Sequence, residues 1–198
     1  MKQQMKHLLA LLLTGSLALT SCAALALEVA GIKMEEVSKV ASTDLKLNGA
    51  GVRTKAIFKV YVAGLYVPEK KTTTADIIAI TGPRRMMLTF LRDISADDLG
   101  QGFTTGLNEN ADAAERKKII NQTVQFGEVF ADLVNIKKGD VLFLDWVPGV
   151  GTVSALNGKK VGATIPDIAF YNAVLKIWLG DKPVDKSLKT ALLGEGPK

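Results

Sequence analysis

Leu47-Asn48-Gly49-Ala50-Gly51-Val52-Arg53 and, four residues on, Phe58-Lys59-Val60-Tyr61-Val62-Ala63-Gly64-Leu65-Tyr66 form the stretch whose reading decides the fold. Asp44 to Asn48 alternates polar and apolar side chains, as a half-buried strand does. Gly49-Ala50-Gly51 permits a tight bend, Ile57 to Val67 is dense in β-branched and aromatic residues, and Pro68 closes the run. The expectation is a strand, a bend at the glycines and a second strand.

Working toward the C-terminus, Ile77 to Ile80 and Met86 to Leu91 are apolar stretches separated by Thr81-Gly82-Pro83, and the second, short and bounded, reads as a strand. Ser95 followed by Asp97 and Asp98 has the chemistry of a helix N-cap and first turn, so a helix is expected to about Asn108. A second helix is expected from Ala113 onward, with Glu115, Arg116, Lys117 and Lys118 near its start. It places Ile119, Thr123, Phe126, Phe130 and Leu133 three and four residues apart, and this stripe reads as core. After Gly139-Asp140, read as a turn, three strand-like runs follow: Val141 to Val147, Gly151 to Leu156 and Lys159 to Ile165. They are separated by Pro148-Gly149 and by Asn157-Gly158, the latter a strong hairpin signal, so an antiparallel meander is expected. Pro166 and Asp167 open a helix through Leu179, stopped by Gly180, and a last short helix reaches about Leu193. Strands, helices, strands and helices in that order argue an α+β domain with an antiparallel sheet.

Toward the N-terminus the first 26 residues combine Lys2 and Lys6, an apolar run from Leu8 to Leu19 and the small residues Ser21 to Ala26. That order describes a secretory leader, so residues 1–26 are read as a signal peptide, residues 27–198 as one domain, and the chain as periplasmic or otherwise exported. Two cleavage chemistries compete. Ala24-Leu25-Ala26 suits ordinary leader cleavage before Leu27, the preferred reading. Leu19-Thr20-Ser21-Cys22 resembles a lipobox, which would make Cys22 the acylated first residue of a membrane-anchored lipoprotein. The mass of the mature N-terminus decides between them.

Leader removal takes two lysines and no acid, so the formal net charge of +5 becomes +3. The bases are interspersed with acids, apart from Arg84-Arg85 and Arg116-Lys117-Lys118, so no nucleic-acid partner is expected. The only histidine, His7, and the only cysteine, Cys22, both lie in the leader. A mature chain without them has no Ser-His-Asp triad, Cys-His pair, His-ligated zinc or internal disulfide. No cofactor is expected, and the sequence does not specify an oligomeric state.

The Gly49-Ala50-Gly51-Val52-Arg53 segment and the Lys59-Val60-Tyr61-Val62-Ala63-Gly64-Leu65-Tyr66 strand resemble the chalcone isomerase-like family, which includes plant chalcone isomerases and plastid fatty-acid-binding proteins. Phe90-Leu91-Arg92-Asp93, Gly139-Asp140 and Leu179-Gly180-Asp181-Lys182-Pro183-Val184 extend the likeness over most of residues 27–193. The resemblance implies an open-faced β-sandwich: a curved antiparallel sheet covered on one face by helices, with a ligand cleft between. Arg53 matches the family arginine, and Tyr61 stands where the fatty-acid binders carry tyrosine. The remaining polar positions of the isomerases align with Leu99, Gly106 and Ile177, so an enone oxygen would lack donors.

The resemblance therefore implies non-catalytic binding of a small apolar carboxylate such as a fatty acid through Arg53 and Tyr61. Alternatives are a chalcone isomerase-type intramolecular lyase and a structural or interaction protein with a closed cleft. Residues 53 and 61 would lie about 26 Å apart on a straight strand. Sharing one ligand requires the chain to fold back between them, and Thr54-Lys55-Ala56 offers no glycine for that turn. Arg92 and Asp93 read as a surface pair or a pair at the pocket's edge.

Overall fold

A computed structural model describes residues 27–195 apart from 132 and 134, so the leader, with Cys22 and His7, lies outside the described residues. Eleven strands and six helices follow in the order β1 (Leu27–Val29), β2 (Ile32–Met34), β3 (Val37–Val40), β4 (Thr43–Lys55), β5 (Phe58–Val67), α1 (Thr74–Ala79), β6 (Arg84–Phe90), β7 (Ile94–Ser95), α2 (Ala96–Asn110), α3 (Ala113–Lys118), α4 (Ile120–Ala131), β8 (Asn135–Ile136), β9 (Val141–Val147), β10 (Gly151–Leu156), β11 (Lys159–Ile165), α5 (Ile168–Leu179) and α6 (Lys186–Leu192). Seven of the strands form one antiparallel sheet in the order β11-β10-β9-β6-β5-β4-β3. The helices cover one face of this sheet, giving the open-faced α+β sandwich that the sequence implies.

The expected bend at Gly49-Ala50-Gly51 does not occur. β4 runs through it, and the chain reverses at Ala56 and Ile57, with Ala56 at φ 55° and Lys55 paired to Phe58. The glycines serve close approach. A Cβ on Gly49 would lie 2.0 Å from the Ala191 carbonyl oxygen, and one on Gly51 would lie 2.8 Å from the Ala191 side chain, so α6 reaches β4 only where both lack side chains. What re-aims the strand is Asn48, the extra residue of a bulge between the pairs Leu47↔Tyr66 and Gly49↔Leu65. Before it, Leu45 and Leu47 face the smaller apolar cluster with Met34, Val62 and Tyr66. Beyond it the alternation is displaced by one, so Gly49, Gly51 and Arg53 face the helices, opposite Leu65, Ala63 and Tyr61. The Asn48 amide fixes the bulge by donating to the Leu192 and Lys71 carbonyls (2.7 and 2.9 Å) and accepting from the Lys71 N–H (2.7 Å).

The helix expected from Ala113 to about Leu133 is two helices. Asp112 and Glu115 form a capping box that opens α3, and Arg116, Lys117 and Lys118 occupy its last turn, where cations suit the helix dipole. Ile119 then leaves helical geometry (φ −106°, ψ 12°), and Thr123 returns its hydroxyl to the Ile119 carbonyl as α4 begins. The apolar stripe is nonetheless core: Ile119, Phe126, Phe130 and Leu133 are buried, and Thr123 is half-buried. Phe103 of α2 meets Phe126, Phe130 and Trp178 with ring centroids 5.2–5.5 Å apart, and Phe126 meets Phe170, so aromatic rings fill the centre of the helix layer. Arg84 and Arg85, neighbours in sequence, part to opposite faces of β6. Arg84 is fully buried against the Tyr171 ring, and Arg85 grips Asp145 bidentately at 2.6 and 2.7 Å.

Candidate functional site

Reversal at Ala56 makes Arg53 and Tyr61 direct cross-strand neighbours on the helix-facing side of the sheet. The long separation expected of a straight strand is therefore overturned: the chain does fold back, through a turn without glycine. The Arg53 guanidinium carbon lies 5.5 Å from the centre of the Tyr61 ring, within cation–π range.

The two residues differ in access. Tyr61 is 1% exposed and takes a hydrogen bond from the Trp178 indole N–H at 2.9 Å. Burial raises its phenol pKa, and the neighbouring Arg53 charge opposes that shift without cancelling it, so the hydroxyl stays protonated. Arg53 is half-buried and lines a cleft of about 750 Å³. Its Nε is buried and has no acceptor among the described residues, and no described carboxylate forms an ion pair with it.

The cleft lies between the turn end of the β4–β5 hairpin and one side of α2, with Phe58, Val60, Leu99, Gly102, Gly106 and Val184 among its apolar walls. Gly102 faces the arginine: a Cβ there would come to 3.9 Å from Nη1, an ordinary van der Waals contact. Gly106 rests directly on Ile177, where an added Cβ would lie 2.7 Å from that side chain. Leu99 and Gly106, two of the three positions where the resemblance implies polar groups in the isomerases, thus line the Arg53 cleft. The third, Ile177, is the packed surface under Gly106. Gln101, Thr105 and Glu109 supply polar rim on α2.

Arg92 and Asp93 both border the cleft but do not pair with each other. Arg92 stacks over Phe58 with its guanidinium carbon 4.8 Å from the ring centre, whereas Asp93 binds Lys137 at 3.1 Å and the Lys138 N–H at 2.8 Å. Those bonds hold the Asp93 carboxyl below the usual carboxylate range. Sequence reasoning missed Trp178, whose indole fixes Tyr61 behind the arginine. Its position in an apolar helix resembles that of any core aromatic.

An antiparallel sheet roofed by helices, with an arginine in a cleft at one end, defines a class of open-faced α+β sandwich. The chain belongs to the chalcone isomerase-like family, whose sequence pattern matches residues 26–194. Among solved structures it is similar to a fatty-acid binding protein of Arabidopsis thaliana, with a TM-score of 0.62 and 16% identity over 82% of this chain and 92% of that one. At that identity the likeness is one of fold. No curated protein matches the chain.

Proposed function

We propose that this protein binds a small apolar carboxylate, a fatty acid or a molecule of that shape, without catalysis, and that Arg53 takes the carboxylate with Tyr61 as its positioning partner. The observation that carries this reading is a guanidinium on the wall of a cleft with apolar and polar sides, with a buried Nε lacking an acceptor among the described residues and no described carboxylate in ion-pair contact with it. A planar fork of donors matches a carboxylate, and an apolar wall suits the remainder of an amphiphile. The name of the Arabidopsis neighbour supports the ligand class, and Leu99, Gly106 and Ile177 support the absence of turnover. No cofactor is required. We further propose that residues 1–26 direct export and that the domain works outside the cytoplasm.

Calorimetric titration with saturated fatty acids of graded length and their methyl esters tests the reading. A charge-assisted bond contributes on the order of 1.5–3 kcal/mol, so Arg53→Ala should weaken acid binding about 10- to 100-fold and Arg53→Lys should recover part of it. Ester and acid binding with equal affinity would remove Arg53 from the site. The aromatic packing at the centre of the helix layer favours a second reading, a structural or interaction protein with a closed cleft. Absence of binding at every chain length would select it.

A further inference from the structure

Ala56, Ile57 and Phe58 form the tip of the β4–β5 hairpin, and all three are exposed. Ile57 is 85% exposed and Phe58 54%, so two large apolar side chains stand consecutively in water at a turn. Single exposed apolar residues are ordinary on protein surfaces, but an adjacent pair at a protruding turn is less so.

The surroundings of the tip are cationic. Lys55 and Lys59 flank it on the two strands, and Arg92 lies over the Phe58 ring. From Leu45 to Pro68 the chain contains no acid. Of the acids near the tip, Asp185 caps α6 and accepts the Thr54 N–H at 3.0 Å, Asp93 is held by Lys137 and Lys138, and Asp98 accepts from the Ser95 hydroxyl at 2.7 Å, while Glu109 lines the cleft from α2. Lys55, Ala56, Phe58 and Arg92 also line the Arg53 cleft, so the tip stands at its mouth. Among the described residues no helix is long and apolar enough to cross a membrane.

We propose that this tip is a membrane-docking element: Ile57 and Phe58 enter the headgroup boundary of an anionic phospholipid surface while Lys55, Lys59 and Arg92 meet its phosphates. An apolar wedge ringed by cations matches the layered chemistry of that interface, apolar below and anionic above. Docking at this point turns the cleft mouth toward the bilayer, where an amphiphile can pass between the two without crossing water. The surface contact is independent of any acylation at Cys22 and of what fills the cleft.

Co-sedimentation with phosphatidylcholine vesicles, with and without phosphatidylglycerol and at low and high salt, tests the proposal. All variants keep the parent's N-terminus, so differences report the tip. The parent should favour the anionic vesicles and lose that preference in high salt. Ile57→Asp should lower partition at least about fivefold, and Lys55→Glu combined with Lys59→Glu about tenfold. Val124→Asp, at an exposed apolar residue of α4, should leave it unchanged. Ile57 does not line the cleft, so Ile57→Asp should keep the parent's carboxylate affinity in solution. That measurement also reports an intact fold and separates failure of docking from failure of the ligand reading. Equal partition of parent and Ile57→Asp overturns the proposal, as does an equal loss in Val124→Asp. Ile57-dependent self-association in sedimentation velocity, without vesicle binding, assigns the tip to a second copy of the chain and overturns it as well.

Discussion

The β4–β5 and β10–β11 hairpins belong to one sheet and close with two residues each, yet their tips have opposite chemistry. Asn157 and Gly158 close β10–β11 at φ 51° and 78°, conformations those two residues tolerate better than most. Asn157 also ties its loop to the neighbouring turn, donating to the Asp140 carboxylate and accepting from the Val141 N–H, both at 2.8 Å. Ala56 and Ile57 close β4–β5 with one residue at an unfavourable φ and one bare apolar side chain. A tip that obeys turn rules serves the fold. Alanine at positive φ recurs at Ala30 and Ala41, so what sets the β4–β5 tip apart is its exposed Ile57–Phe58 pair at the mouth of a cleft, which points to a requirement other than stability.

The largest expected effect concerns the residue that aims the first hairpin. Asn48→Ala removes three short hydrogen bonds and strands the buried Leu192 carbonyl and the part-buried Lys71 N–H. It should cost about 3 kcal/mol in urea denaturation. Because the bulge sets which face Arg53 occupies, carboxylate binding should weaken too. A loss below about 1 kcal/mol would mean that α6 packing on Gly49 and Gly51, rather than Asn48, holds the bulge.

The same comparison explains what could be read from the sequence. The meander, α2 with its Ser95 cap, α5 and α6 were legible because each has local chemistry agreeing with its structure: Asn157-Gly158, Ser95 before Asp97 and Asp98, and Gly180 after Leu179. The turn at Ala56 was illegible because nothing in Thr54-Lys55-Ala56-Ile57 announces a reversal, while Gly49-Ala50-Gly51 announces one that does not form. Those glycines answer to Leu188 and Ala191 of α6, far along the chain, and no local window contains that partner. Arg53 and Tyr61 were identifiable only through family resemblance, since their adjacency follows from the misread turn. The break at Ile119 was masked because the apolar stripe continues across it.

A smaller effect is expected at the second hairpin. A Cβ on Gly158 would meet nothing within 4 Å, so Gly158→Ala tests backbone strain alone. With φ at 78° the substitution should destabilise the domain by about 1 kcal/mol, read as a lower urea midpoint at unchanged slope. A changed slope would mean that the meander melts separately from the rest of the sheet.

The smallest effect has the opposite sign and applies the same test to the first hairpin. Ala56 already occupies the left-handed region, where a Cβ costs roughly 1–2 kcal/mol. Ala56→Gly removes that strain but gives the unfolded chain more freedom, which returns about 0.4–1 kcal/mol. The balance should be a gain of about 0.5 kcal/mol, with Ile57 and Phe58 still in place and vesicle partition therefore unchanged. Ala56→Asn should gain similarly, since asparagine tolerates this conformation. If both variants stabilise and neither alters partition, the strain at Ala56 is separable from docking, which then rests on Ile57, Phe58 and the flanking cations. If Ala56→Gly instead weakens partition while raising stability, the rigidity of the strained turn is part of how it presents Ile57 to a surface. A loss of stability in Ala56→Gly would show that the alanine methyl makes a favourable contact in the cleft mouth, and the contrast between the two hairpins would then rest on Ile57 alone.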